Sequence, residues 1–147
     1  MPLFDQGKRP RIVFLTVCSK GRAPVMANDL FVEALRSAWR EADHWQVGRW
    51  LVMPDHVHLF CAPGVVDAPP VGKWIRYWKS VVSRSLREGK LEGFAWQRDF
   101  WDTQLRSGDS YSEKWAYVEM NPVRAGLVES PDWWRWQGEE NVLLWKE

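Results

Sequence analysis

The segment Leu51-Val52-Met53-Pro54-Asp55-His56-Val57-His58-Leu59-Phe60 constrains the fold more tightly than any other part of the chain. Apolar residues fill it except at Pro54-Asp55, a pair that favours a tight turn because proline fixes φ and aspartate bonds its own backbone. Two strands joined by that turn are therefore expected, the first from Gln46 to Met53 and the second carrying the histidines. Side chains alternate along a strand, so His56, His58 and Phe60 share one face while Val57, Leu59 and Cys61 take the other. Two of the three histidines in the chain thus project side by side. Neutral imidazole is a common metal ligand, and strand spacing orients both rings. A histidine pair alone is more often structural, so the pattern begins a divalent-metal site without completing one.

The flanking segments supply the rest of an architecture. Arg11 to Cys18 alternates Ile12, Phe14 and Thr16 against Val13, Leu15 and Val17, a strand. Asn28 can cap a helix that carries Phe31, Ala34, Leu35, Ala38, Trp39 and Ala42 at helical spacing. Ala62-Pro63-Gly64 ends the histidine strand, and Asp67-Ala68-Pro69-Pro70 introduces a second long helix. There Val71, Trp74, Ile75, Trp78, Val81, Val82 and Leu86 form an apolar stripe opposite Lys73, Arg76, Ser80, Ser83, Arg84 and Arg87. Phe94 to Leu105 follows as an extended segment. The order strand, helix, strand, strand, helix, strand, helix predicts an α/β fold, an α+β sandwich of the ferredoxin-like split βαβ type with a mostly antiparallel sheet. Val57 and Leu59 would face the packed helices, and His56 and His58 the open side.

A second constellation lies toward the C-terminus. Ser110-Tyr111-Ser112-Glu113 has the form of a capping box, and Asn121-Pro122 followed by Gly126 supplies a stop, which predicts a helix of about three turns. Tyr111, Trp115 and Val118 form its buried stripe. Tyr117 lies off the stripe, with Asn121 four residues on and therefore on the same face, so a phenol and a carboxamide oxygen emerge as neighbours.

Bulk properties narrow the function classes. The 147 residues suit one domain, with a core from about 10 to 130 and a tail from 131 to 147. No run approaches the ~18 apolar residues of a membrane span, and Met1-Pro2-Leu3-Phe4-Asp5 has no secretory-signal pattern. Cys18 and Cys61 fall inside strands and read as core hydrophobes of a reduced, cytoplasmic chain. The net charge is only +1, yet residues 73–98 hold seven basic side chains (Lys73, Arg76, Lys79, Arg84, Arg87, Lys90 and Arg98) against Glu88 and Glu92, a local balance of +5. Such asymmetry suits a one-sided footprint for phosphates. Twelve tryptophans are a marked excess, and Trp74, Trp78, Trp96 and Trp101 lie in or beside the basic stretch, where two or three could stack unpaired bases. The others are core filler. Trp133-Trp134-Arg135-Trp136 suggests only a docked tail.

Three segments carry a resemblance: Met53-Pro54-Asp55-His56-Val57-His58, Trp96-Gln97-Arg98-Asp99-Phe100-Trp101-Asp102, and Tyr117-Val118-Glu119-Met120-Asn121-Pro122-Val123-Arg124-Ala125-Gly126-Leu127-Val128. In this order and spacing they resemble the single-tyrosine HUH (His-hydrophobe-His) transposases, most closely the REP-associated tyrosine transposases. The resemblance implies two long helices on one sheet face and the catalytic tyrosine helix on the other. It implies cleavage and rejoining of hairpin-bearing single-stranded DNA through a 5′-phosphotyrosine, leaving a free 3′-hydroxyl. Tyr117 takes the place of the nucleophile, since Tyr111 is spent in its stripe and Tyr77 has Val81 rather than a ligand at i+4. His56, His58 and Asn121 take the place of the ligands to Mg²⁺ or Mn²⁺, although the family also uses glutamine at the last position. Lys73, Arg76, Tyr77, Lys79, Arg84, Arg87, Arg98 and Arg124 are the expected DNA contacts.

Two other classes compete. A domesticated, non-catalytic hairpin-binding protein would keep the basic helix but has no need of both histidines, Tyr117 and Asn121 together. A hydrolytic metal nuclease would want a third histidine or a water-activating carboxylate, and only Asp55 is close. The resemblance favours a monomer, with a dimer exchanging tyrosine helices as the alternative, in a cytoplasmic, nucleoid-associated setting without membrane contact.

Overall fold

The computed structural model describes residues 11–147; the segment Met1–Asp5, where a secretory signal was sought, lies outside the described residues. Five strands, β1 (Val13–Ser19), β2 (Trp45–Met53), β3 (His56–Pro63), β4 (Trp96–Gln104) and β5 (Gln137–Glu139), form one sheet in the order β4-β1-β3-β2-β5 with every pair antiparallel. The helices are α1 (Asp29–Glu41), α2 (Val71–Glu88), α3 (Tyr111–Glu119) and the short α4 (Asn121–Arg124). The first four strands with α1 and α2 are the split βαβ arrangement that the hydrophobic patterning predicts. Strand limits differ from the sequence reading by a residue or two.

Local chemistry explains the elements. Asn28 caps α1, its Oδ1 accepting from the Phe31 backbone N–H at 2.9 Å. Between the sheet and α1 and α2, Val13, Leu15, Val17, Val57, Leu59 and Cys61 pack against Phe31, Leu35, Trp74, Trp78 and Val82. Each large side chain buried there contributes roughly 1.5–3 kcal/mol. Seven of the twelve tryptophans are buried, so the excess is mainly a core-building device. Trp101 and Trp133 alone are broadly exposed, at 56% and 66%. Both cysteines are buried free thiols. Among the described residues no helix is long and apolar enough to cross a membrane.

The second sheet face is covered as well. Ile12, Leu51, Met53 and Phe60 meet Tyr111, Trp115 and Val118 of α3 together with Trp134 and Leu143 of the tail. The capping box begins α3 as expected, Ser110 Oγ accepting from the Glu113 N–H at 3.1 Å. The helix ends at Glu119, just ahead of Asn121-Pro122, as expected. After a break at Met120 the same pair opens the short α4, because a first-turn residue has no helical partner for the N–H that proline lacks. Gly126, at φ +74°, then stops the helical stretch.

The tail does more than dock. Val52 N–H donates to the Trp136 carbonyl at 2.8 Å and the Trp134 indole donates to the Val52 carbonyl at 2.9 Å, which sets β5 against β2. Glu140 follows with a 9%-exposed side chain whose Oε2 accepts from Arg36 Nε and Trp50 Nε1, each at 3.1 Å. Glu140→Ala strands the indole N–H of a core tryptophan and is expected to cost about 1–3 kcal/mol, read as a lower urea midpoint. An unchanged midpoint would show that the tail adds nothing to the fold. Beyond it, Leu143 lies over Gly48, where a Cβ would come within 2.6 Å of both Leu143 and the Tyr111 hydroxyl. Trp145 Nε1 donates to the Asp109 carbonyl at 2.6 Å, and Glu147 accepts from Ser110 Oγ at 2.5 Å at the start of α3.

Candidate active site

The turn between β2 and β3 fixes the register that aims two imidazoles away from the α1–α2 layer. His56 and His58 pair with Cys18 and Thr16 across β1 and with Met53 and Leu51 across β2. Their Nε2 atoms face each other at 3.1 Å, with the rings nearly perpendicular at 79°. The opposite edge of each ring is held. His56 Nδ1 lies 2.7 Å from Asp55 Oδ1, and His58 Nδ1 lies 2.9 Å from Thr16 Oγ1. Phe14 stacks on His58 with centroids 5.3 Å apart.

Hydrogen-bond chemistry assigns the protons. A carboxylate only accepts, so His56 carries its proton on Nδ1 and leaves a lone pair on Nε2. The Thr16 hydroxyl can accept or donate, which frees His58 to adopt either tautomer. Without a cation, His58 Nε2–H donates to His56; with Thr16 accepting from Nδ1, both Nε2 lone pairs are free in the gap the two rings share. Two nitrogens that bind one cation about 2.1 Å away at a right angle sit about 3.0 Å apart, so the observed spacing fits a shared ion. Second partners of this kind are what orient ligating histidines.

His58 is pushed down to about 3 from 6.5, chiefly by burial and then by the charges of His56, Arg124 and Arg22. It therefore stays neutral where a metal would need it neutral. Between those two values the unfolded chain takes up a proton that the folded one refuses, so stability is full above about 6.5 and falls as pH drops toward 3. Urea unfolding of the metal-stripped protein across that range is expected to lose stability on acidification, and His58→Gln to lose less. Parallel losses would remove His58 as the cause.

Tyr117 stands at 70% exposure on α3, one of the most open large side chains. Arg124 of α4 lies 4.2 Å above its ring and donates from Nη2 to the Tyr117 carbonyl at 2.8 Å. The charge of the same guanidinium is among those that disfavour protonation of His58. Asn121 donates from Nδ2 to the Val118 carbonyl at 2.9 Å, which leaves its Oδ1 as the atom available to a ligand. Among the described residues no group of three His, Cys, Asp or Glu side chains could hold a metal. A carboxamide oxygen taken together with two imidazoles would make a mixed nitrogen and oxygen set, of the kind that suits Mn²⁺ or Mg²⁺.

The other expected contacts are spread differently. Lys73, Arg76, Arg84 and Arg87 are exposed on α2, across the sheet from the histidines. Lys79 is half-buried, its ammonium donating to the Gln97 carbonyl at 2.9 Å beneath Trp96. The Tyr77 hydroxyl donates to Glu41 at 3.1 Å. Arg98 is exposed on edge strand β4. The tryptophans expected to lie among these cations turn inward at Trp74 and Trp78; Trp101 is open instead, paired with Thr16 across β1.

A protein of Haemophilus influenzae assigned to the REP-associated tyrosine transposases is 26% identical over 136 residues, which span 83% of this chain and 76% of that one. The Escherichia coli K12 REP-associated tyrosine transposase is 24% identical over 91 residues, 61% of this chain and 52% of its relative. The chain resembles the REP-associated tyrosine transposases. A solved REP-associated tyrosine transposase bound to a REP hairpin shares the fold at a TM-score of 0.69 and 21% identity, over 88% of this chain and 77% of the other. A crystal structure assigned as a Deinococcus radiodurans transposase superposes at 0.54 with 16% identity, over 76% and 91% of the two chains. No family model matches the chain.

Sequence reasoning missed two neighbours of the histidines. Arg22 donates from Nε to Asp55 Oδ2 at 2.9 Å and brings Nη2 to 3.4 Å from His56 Nδ1. Its backbone is left-handed at φ 56°, a conformation that a non-glycine residue adopts at a cost and that marks functional segments. Gly21-Arg22 inside a loop gives no periodic signal of this. Thr16 was visible on the correct strand face, but its pairing with His58 needed the β1–β3 register.

Proposed function

We propose that the chain is a metal-dependent, single-tyrosine DNA transposase that binds hairpin-bearing single-stranded DNA and cleaves it through a 5′-phosphotyrosine. The observation that carries this reading is the pair of inward-facing Nε2 atoms, backed by Asp55 and Thr16, on the sheet face that also carries an unburied tyrosine. The relatives named above add a transposase likeness, and one solved neighbour is itself bound to a REP hairpin.

In the proposed reaction the Tyr117 hydroxyl loses its proton and its oxygen bonds the scissile phosphorus, while the bond from phosphorus to the 3′ oxygen breaks and that oxygen leaves as a hydroxyl. The aryl phosphodiester stores the bond, so a later 3′-hydroxyl can reverse the step and rejoin a strand. His56, His58 and Asn121 would hold a divalent ion, which when bound would supply positive charge at the scissile oxygens. Asp55 and Thr16 orient the two imidazoles, and Arg22 fixes Asp55. Arg124, stacked over the Tyr117 ring, offers a guanidinium to a phosphate that approaches the tyrosine. Trp101, open beside Thr16, offers a stacking surface for an unpaired base. Because Asp55 is engaged by Arg22 and His56, it is not free to activate water, and His44 lies beside Tyr77 near the α2 layer. Both facts weigh against the hydrolytic reading. The proposed setting is cytoplasmic and nucleoid-associated, with the chain acting as a monomer.

Incubation with a labelled single-stranded palindrome from the surrounding genome and Mn²⁺ tests the reading. A covalent adduct that survives denaturation is expected. Cleavage without an adduct would favour hydrolysis, and tight binding without cleavage would favour a domesticated DNA-binding protein.

A further inference from the structure

The outer side of α2 forms a strip that the site does not use. Lys73, Arg76, Arg84 and Arg87 are exposed there, with Ser80 and Ser83 between the two pairs, while Trp74, Ile75, Trp78, Val81, Val82 and Leu86 are turned into the core. None of the four cations takes part in an ion pair among the described residues; the arginines that do are Arg22, Arg36, Arg40, Arg49 and Arg135. The charge is therefore unspent. It also lies on the layer opposite His56 and His58, with α2 and the sheet between, so a phosphate held by the strip cannot be the one presented to Tyr117.

From this separation we infer that the outer face of α2 is a second nucleic-acid surface, which grips the phosphate backbone of double-helical DNA independently of base sequence and of the cleavage site. The inference rests on the proposed reading for its choice of DNA as partner. Chemistry favours a duplex over a single strand here. Recognition of unpaired bases needs aromatic faces, and here the strip offers only Tyr77, 50% exposed with its hydroxyl tied to Glu41, against four cations; Trp74 and Trp78 are buried. Four unpaired cations suit phosphates, which a duplex presents at about one per 1.7 Å of its axis. At about 1.5 Å of rise per residue, Arg76 and Arg84 stand about 12 Å apart along α2, close to the width of a major groove. The two pairs can thus address the two lips of one groove, with small serines between them.

The test uses the full chain, a fluorescent duplex without a palindrome and a salt titration, in parallel with adduct formation on a short hairpin. Lys73→Ala/Arg76→Ala and Arg84→Ala/Arg87→Ala are each expected to lower the slope of log affinity against log salt by about 2. Far-ultraviolet circular dichroism should show both variants folded, because the four side chains are exposed. Arg106→Ala/Lys146→Ala, an equal charge loss elsewhere, should leave the slope nearly as it was. An unaltered slope in both strip variants, or the same drop in the control, would overturn the inference. So would loss of binding to anionic phospholipid vesicles with duplex binding intact, which would assign the strip to a membrane surface. A protein that binds the duplex through the strip yet forms no adduct in any version would sink the transposase reading and leave this surface standing.

Discussion

Tyr117→Phe is expected to eliminate both strand cleavage and the covalent protein–DNA adduct, a fall on the order of 10⁴-fold or more, with hairpin affinity almost unchanged. The phenol is exposed and makes no hydrogen bond among the described residues, so deleting one oxygen disturbs neither core nor helix. Tyr111→Phe provides the contrast. The Tyr111 hydroxyl accepts from the Arg49 N–H at 3.0 Å, and burial pushes its pKa up to about 12. Its loss should lower stability by about 1 kcal/mol or somewhat more and leave cleavage intact. Denaturing gels with labelled hairpin, beside thermal melts, separate the two outcomes. Cleavage by Tyr117→Phe would show that water or another residue attacks.

The second large effect belongs to the histidines. His56→Ala and His58→Ala are each expected to remove Mn²⁺ binding, measured by calorimetry without DNA, and to reduce cleavage by at least about 10²-fold. Asp55→Asn should act through His56, keeping the fold but weakening metal affinity by about 10- to 100-fold. Binding of Mn²⁺ at full strength in both histidine variants would refute the paired-ligand reading, whatever happened to cleavage. Circular dichroism guards the His58 result, since that ring also stacks on Phe14.

Much of this arrangement was legible because it is written in periodicity. Alternation groups Ile12, Phe14 and Thr16 in and just before β1 and His56, His58 and Phe60 within β3, the β1–β3 register then brings the two groups to one face, and Asn28 and Ser110 announce their helices through capping chemistry. What stayed hidden lacks a period. Strand β5 is three residues held by main-chain pairing with β2, so no side-chain pattern marks it. The short α4 begins at the very pair that ends α3, since proline is equally at home in a first turn, and four residues carry no periodic signal. Lys79 sat among other cations in sequence, but its stem runs over Trp96 and its ammonium ends on a backbone carbonyl. Arg22 depends on a left-handed backbone that only the folded loop reveals.

The way the tail closes on α3 bears on which molecule owns the nucleophile. A helix carrying a reactive tyrosine can be traded between two copies of a chain if its connections are slack and its contacts replaceable. Here the last residues run from β5 past Gly48 and end on Ser110 and Ser112, while Trp145 grips the Asp109 carbonyl just ahead of α3. A swapped arrangement would have to release the indole, the serine and the Leu143 contact, and rebuild all of them across two chains. The tail thereby acts as a latch: it ties the start of α3 to β2 and β5 of its own chain, and shortening it from the C-terminus would relax that tie before it touched Tyr117 or either histidine.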